Sequence, residues 1–287
     1  MGPRVAVAGG ALLRPDRDEQ ATRNGHVAAS RSAPRRDDPR RFERSPVPAD
    51  AEHARRALCE RLEAPPDARI VAFFGFVHPV KGLPYLFEAL VRLRSRHSDL
   101  HLVVVGGFES LALPSSDACR YERELKDLRG ELELTDAVSF TGYLPPEEAS
   151  MVLQGADLAA LPFTAGATTK SSSLLTVLAH GLPTDATSPD VPDPQLVHDR
   201  TVLFVPARDV NALETAIERL LSEPDLARRL ARAARRVADR HDWADIARRH
   251  KRLYETVLEG RPSTSPGDPE QGRRGSRAAR SVGRAGK

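Results

Sequence analysis

Small hydroxyl residues and one lysine stand directly before a leucine-rich helical pattern in the segment LPFTAGATTKSSSLLTVLAHGLP, residues 161–183. A helix N-terminus leaves about four backbone N–H groups unpaired and carries roughly half a positive charge. Small side chains let an anion approach that backbone closely, and a lysine adds a full charge. The alternative is a plain serine N-cap, for which one serine suffices. The number of hydroxyls favours a phosphate site formed by Thr168, Thr169, Lys170, Ser171 and Ser172.

Lys81 supplies a second cation, at a corresponding place after an earlier apolar run. We expect it to open its helix, where a positive charge opposes the helix dipole, so an anionic partner is more plausible there than for an ordinary solvated lysine. Two lysines and two helix N-termini at one edge would suit a diphosphate. Neither GxxxxGK[ST] nor a GxGxxG after the first strand is present, which argues against a P-loop enzyme and a typical dinucleotide dehydrogenase.

Strand and helix patterns alternate in the chain that surrounds these residues. Buried-strand patterns are predicted at 69–76, 100–107, 137–143, 157–163, 183–187 and 201–206. Helical patterns are predicted at 50–62, 83–93, 117–131, 146–156, 171–180, 209–221, 224–240 and 242–259. Parallel strands need helical crossovers, so this order predicts an α/β fold: a single Rossmann-like, doubly wound parallel sheet over 66–260, with added C-terminal helices. Ligands of such sheets bind beyond the carboxyl ends of the strands.

The two ends of the chain differ from this body. Residues 1–45 hold ten arginines against six acidic residues, and 261–287 hold seven basic residues against two acidic ones, so the net charge of +3 leaves an acidic body. We expect both ends to be irregular basic segments, the C-terminal one disordered, with a linker and short helix at 46–65. Because the ends lack interleaved aromatic residues, no nucleic-acid partner is expected.

Other classes of function are disfavoured by composition. Cys59 and Cys119 show no metal-ligand spacing, so we expect two reduced thiols, no metal and a cytoplasmic location. No run of residues approaches the roughly 20 apolar residues of a membrane span.

The order of loops resembles the donor-binding half of retaining glycosyltransferases of family 4, which have the GT-B fold. The resemblance is carried by GFVHPVKGLPYLFEAL, HLVVVGG, VSFTGYLPPEEASMVLQGADLAALPF, SLLTVLAHGLP and TVLFVPARDVNALETAIERLL. It implies a nucleotide-diphosphate sugar as substrate, with Lys81 on the diphosphate and no metal or other cofactor. It also implies base and ribose contacts from Gly142, Tyr143, Leu144 and Thr176.

Two departures from that family affect the expected chemistry. The positions of its two glutamates are occupied by about Ala165 and Thr176, and its first-loop arginine by Phe76. No catalytic residue is therefore assigned. Complete members of the family also carry an acceptor-binding domain before the linker, which residues 1–45 are too short to form, so we expect a truncated chain or a separate acceptor domain.

The resemblance predicts sugar transfer with retention to an unknown acceptor. The alternative is a non-catalytic pseudoenzyme or fragment that acts through protein contacts, including self-association. A weaker alternative is another α/β nucleotide-binding enzyme, such as a sugar-nucleotide epimerase, against which the missing glycine fingerprint counts.

Overall fold

The computed structural model describes residue 46 and the ranges 50–108 and 114–259. The predicted irregular ends, 1–45 and 261–287, therefore lie outside the described residues, as do 47–49 of the predicted linker and Glu109 of the loop after the second strand. The predicted short helix is α1, Ala51–Leu62, and begins where the Asp50 side chain accepts a hydrogen bond from the N–H of Glu52 at 3.2 Å.

A parallel sheet of six strands occupies the described part of the chain, in the order β3-β2-β1-β4-β5-β6. The strands are β1 Arg69–Phe74, β2 Leu100–Val105, β3 Val138–Gly142, β4 Leu158–Leu161, β5 Thr184–Thr187 and β6 Leu203–Val205. β1 pairs with β2 from Arg69↔Leu100 to Phe74↔Val105, and with β4 through Val71↔Leu158 and Ala72↔Ala159. Since the sheet is covered on both faces, β1, β2 and β4 are almost continuously apolar, and this is why they could be predicted.

Eight helices connect or flank these strands within the same ranges. After α1 they are α2 Leu83–Arg94, α3 Ser115–Glu131, α4 Pro146–Gly155, α5 Ser172–Ala179, α6 Val210–Ser222, α7 Pro224–Asp239 and α8 Trp243–Leu258. The predicted stripe of α2 is buried, with Leu83, Leu86, Phe87, Leu90 and Leu93 all at most 1% exposed. The predicted doubly wound α/β fold with added C-terminal helices is confirmed.

The strand order reverses between β1 and β4, and this reversal fixes where a ligand can bind. From β1 the chain moves outward through β2 to β3, whereas from β4 it moves the opposite way through β5 to β6. Right-handed crossovers therefore place α2 and α3 on one face and α5 on the other. The loops after β1 and β4 diverge to opposite faces and leave a crevice between them.

The segment between β1 and α2 differs from its sequence prediction. β1 ends at Phe74, because Gly75 has a φ of +134°. Lys81 does not open α2: it ends a separate 3-10 turn, Pro79–Lys81, and Gly82, with a φ of +70°, stands between the turn and the helix. The expectation that Lys81 opposes the dipole of its own helix is therefore wrong.

Among the described residues, no helix is long and apolar enough to cross a bilayer.

Candidate functional site

A pocket of about 360 Å³ lies at the crevice between the loops that follow β1 and β4. We call it the lysine pocket, because two of its lining side chains are lysines. Its lining residues are Phe76, Val80, Lys81, Phe163, Ala165, Gly166, Lys170, Ser171, Ser172 and Ser173. No acidic side chain belongs to this lining, so an anion that enters meets two positive charges and no described carboxylate on the walls.

The N-terminus of α5 forms one wall of the lysine pocket. Ser171 is the N-cap, and its hydroxyl oxygen accepts a hydrogen bond from the N–H of Leu174 at 3.3 Å. The N-cap alternative is therefore confirmed for this one serine. The N–H groups of Ser172 and Ser173 come first in the helix and have no intrahelical acceptor, so they are the donors that α5 offers to a bound anion.

The loops that carry the pocket are tied to each other. Both the N–H and the hydroxyl of Thr164 donate to the carbonyl oxygen of Val80, at 2.9 and 3.2 Å. A Cβ at Gly82 would clash with the carbonyl oxygen of Pro162, so only glycine lets the two loops pass this closely. These contacts fix the 3-10 turn of Lys81 against the segment that leads into α5.

Lys81 is held over an aromatic ring inside the pocket. Its ammonium nitrogen lies 3.8 Å from the centroid of the Phe163 ring, a distance typical of a cation–π contact. Burial lowers the pKa of Lys81 below its ordinary value, because the protein interior disfavours the charged form. No described carboxylate lines the pocket beside this ammonium, so a bound anion would supply the opposite charge. Lys170 is exposed and lines the same pocket, so the structure brings the two predicted lysines together.

Thr168 and Thr169 do not line the lysine pocket, although the sequence grouped them with its phosphate-binding residues. Thr168 shapes the turn: its carbonyl accepts from the N–H of Ser171 at 2.9 Å, and its hydroxyl accepts from the N–H of Lys170 at 3.3 Å. Thr169 donates both its N–H, at 2.8 Å, and its hydroxyl, at 2.6 Å, to one carboxylate oxygen of Asp193. Sequence analysis missed Asp193, since a partner 24 residues away leaves no periodic signal.

A second pocket, of about 240 Å³, adjoins the first and is mostly apolar. We call it the apolar pocket. Its walls are the ends of β1 and β2, the start and inner side of α4, and the first turns of α5, and they include Tyr143, Leu144 and Thr176. Phe76, Ser172 and Ser173 line both pockets, so the two share a wall. Of the residues predicted to contact a base or ribose, Gly142 alone is absent from the lining; its carbonyl accepts from the N–H of Gly106 at 3.2 Å.

Ser150, in the wall of the apolar pocket, is hydrogen-bonded to the buried His180. His180 Nδ1 lies 2.8 Å from the carbonyl oxygen of Thr176, so that nitrogen is the donor, and Nε2 accepts from the hydroxyl of Ser150 at 2.9 Å. Burial, together with the positive charge of Arg235, lowers the pKa of His180, against the opposing effect of its bond to Thr176. This histidine is therefore neutral and structural. Ser150 was not predicted, because a polar residue on an apolar helix face carries no distinctive spacing.

Comparison with known protein families shows which family the chain belongs to. The model of the family described as "Glycosyl transferases group 1" matches residues 55–237, well over half of the chain. The chain belongs to this family. A D-inositol 3-phosphate glycosyltransferase from Corynebacterium urealyticum is 29% identical over 225 residues, which are 77% of this chain and 48% of that protein. The chain thus spans about half the length of the curated relatives that it matches.

Solved structures show the same fold for this group 1 chain. The C-terminal domain of the glycosyl transferase group 1 protein LpcC from Francisella tularensis aligns with a TM-score of 0.55 and 17% identity, over 70% of this chain and 96% of that domain. HepE of Anabaena, in complex with UDP and glucose, aligns with a TM-score of 0.60 and 18% identity, over 72% of this chain and 52% of HepE. The described residues thus have the architecture of one half of a GT-B glycosyltransferase.

Among the residues that the structure describes, no cluster of three or more His, Cys, Asp or Glu side chains could hold a metal ion. Cys59 is buried, Cys119 is exposed, and both are unpaired. The expectation of a metal-free reaction stays a prediction.

Proposed function

We propose that this chain is the donor-binding half of a family 4-like glycosyltransferase that transfers a sugar from a nucleotide-diphosphate sugar with retention. The observation that carries the proposal is the lysine pocket, where Lys81, Lys170 and the first N–H groups of α5 meet at the switch point of the sheet. A helix N-terminus with two ammonium groups and no acidic lining suits two linked phosphates better than it suits a neutral ligand.

The neighbouring apolar pocket suits the nucleoside part of such a donor. Its walls are mostly apolar, with the hydroxyl-bearing residues Ser150 and Thr176 among them. A base would pack on the apolar wall near Tyr143 and Leu144, and a ribose hydroxyl would hydrogen-bond to Thr176. Because the two pockets share Phe76, Ser172 and Ser173, one nucleoside diphosphate would extend across both. HepE, whose fold is similar, was solved with UDP and glucose, and this supports a nucleotide sugar as the ligand.

The chemical contribution of this half is stabilisation of the departing diphosphate. As the sugar leaves, negative charge builds on the phosphate, and Lys81, Lys170 and the α5 dipole would stabilise it. We propose no metal and no general base on this half. The resemblance places about Ala165 where the family has the carboxylate that contacts the sugar, and Thr176 where it has the carboxylate that binds the ribose, so both contacts would be weaker here. The acceptor is unknown.

The acceptor domain would come from outside the described residues. Helix α8 has no buried residue, and its exposed side includes Trp243, Leu253, Tyr254, Val257 and Leu258. An exposed apolar stripe of this length is typical of an interaction surface. We propose that it contacts a separate acceptor domain.

Titration calorimetry with UDP, GDP and ADP tests the proposal. We expect one of the three to bind the folded 1–287 chain with a dissociation constant in the micromolar range, about 1 to 100 μM, since a diphosphate in such a cradle makes several charge-assisted hydrogen bonds. Uridine, guanosine and adenosine are the matched controls, and each should bind at least about tenfold more weakly than its diphosphate. Failure of all three diphosphates to bind a folded sample would refute the proposal.

A second candidate function is a non-catalytic role through protein contacts. Two observations favour it: neither pocket has an acidic side chain in its lining, and the apolar stripe of α8 is exposed. Under this alternative the chain associates with itself or another protein and transfers no sugar. Sugar transfer by a monomeric chain would exclude it.

A further inference from the structure

Asp193 bears a negative charge next to a segment that we assign to an anion, and this apparent conflict has a structural explanation. One carboxylate oxygen accepts both hydrogen bonds from Thr169, at 2.8 Å from the N–H and 2.6 Å from the hydroxyl. The other accepts the N–H of Gln195 at 3.0 Å. Asp193 is absent from the lining of the lysine pocket, and its carboxylate instead accepts hydrogen bonds from these three donors.

We propose that Asp193 is a positioning residue of the diphosphate site: it holds the turn 168–171 so that Lys170 and the first N–H groups of α5 face the lysine pocket. This inference rests on the proposed function and adds to it a residue outside the pocket on which the phosphate cradle depends. Lys170 stands between Thr169, which Asp193 binds, and Ser171, which caps α5. If the hydrogen bonds between Thr169 and Asp193 were lost, Lys170 and the backbone at the start of α5 would therefore lose their fixed positions.

Asp193 is also connected to the C-terminal helices, through Gln195. The side-chain nitrogen of Gln195 lies 3.4 Å from Nε2 of His241, whose Nδ1 donates to the carbonyl oxygen of Val237 at 3.0 Å. These contacts connect the loop that carries Asp193 to the C-terminal end of α7. Partial burial alone would raise the pKa of Asp193, but the hydrogen bonds from Thr169 and Gln195 and the charge of His241 outweigh it, and the pKa lies below its ordinary value. The Asp193 carboxyl is thus ionised at neutral pH.

Positioning and simple electrostatics predict opposite results when the carboxylate is removed. If Asp193 acted only as a nearby negative charge, its loss would strengthen the binding of an anion. If it holds the turn, its loss weakens diphosphate binding even though a repulsive charge has gone. The sign of the change therefore separates the two roles.

The test uses whichever of UDP, GDP and ADP binds the wild-type chain, together with the corresponding monophosphate. For Asp193→Ala we expect diphosphate affinity to fall about tenfold, the effect of losing one or two charge-assisted hydrogen bonds, and monophosphate affinity to fall less than about threefold. Asp190→Ala removes the same charge from an exposed position three residues away and should leave both affinities unchanged.

Two further variants keep the test decisive if the alanine variant folds poorly. Asp193→Asn keeps one acceptor oxygen and should restore part of the affinity, whereas Thr169→Val removes one donor without changing any charge and should weaken diphosphate binding in the same direction. Unchanged or stronger diphosphate binding in folded Asp193→Ala or Thr169→Val overturns the inference, as does an equal loss for both nucleotides. If no nucleotide binds the wild type, the proposed function itself fails, and that result is distinct from the other two.

Discussion

Some ionisable residues of this chain line the lysine pocket, and others are buried outside both pockets. Lys81 and Lys170, which we propose bind a diphosphate, belong to the first group. Asp185 belongs to the second: it lies in β5 between β4 and β6, it is fully buried, and neither carboxylate oxygen has a hydrogen-bond partner among the described residues. Burial raises the pKa of Asp185 well above its ordinary value of 3.8, because the charged form is costly in an apolar layer.

This carboxyl should make stability depend on pH. Above about pH 4 the unfolded chain releases the proton that the folded chain retains, so the free energy of unfolding falls as pH rises, by up to about 1.4 kcal/mol per pH unit, until the folded pKa is reached. In Asp185→Asn that loss should be absent. Urea denaturation of both proteins at pH 4, 6 and 8 checks this, and a constant difference between them at all three values would mean that Asp185 is ionised in the folded state.

At the scale of elements, most of the fold was predictable because β1, β2 and β4 are buried apolar runs and the helices α2, α6 and α7 each bury an apolar stripe. All six strands and eight helices were found close to their predicted positions. The site was predictable only in part. Two lysines and the serines at the start of α5 were recognisable from their types and order, whereas Asp193 and Ser150 reach the site through contacts that only the folded chain creates. Lys81 was wrongly placed at a helix start, because a 3-10 turn of three residues has no period to detect.

The close contact between the loops after β1 and β4 gives a prediction at this scale. Gly82→Ala would force a left-handed φ on alanine and push a Cβ into the Pro162 carbonyl, so we expect a loss of at least about 2 kcal/mol in the free energy of unfolding. Gly130→Ala is the matched control, because it lies in α3 with open space around a Cβ, and it should stabilise by up to about 1 kcal/mol. Chemical denaturation measures both. Equal effects would show that the loops do not meet as described.

At the scale of the whole molecule, the exposed stripe of α8 should govern association. In the absence of an acceptor domain, we expect the wild-type chain to self-associate through this stripe, because burial of several large apolar side chains is favourable. Tyr254→Glu with Leu258→Glu should shift the chain towards monomer in light scattering. Arg252→Glu changes the net charge by the same two units at an exposed position about half a helical turn away from Tyr254, and it should not. A wild-type chain that stays monomeric at high concentration, or equal behaviour of the two variants, would remove α8 as the contact surface.

The central claim is that the lysine pocket binds the diphosphate of a nucleotide sugar, and a crystal of this chain grown with the nucleotide that binds it in solution tests it most directly. We predict phosphate density at the N–H groups of Ser172 and Ser173, with the ammonium nitrogens of Lys81 and Lys170 both within about 3 Å of phosphate oxygens. Density for the nucleotide elsewhere, or an occupied pocket in which the two lysines point away from the phosphates, would contradict the account.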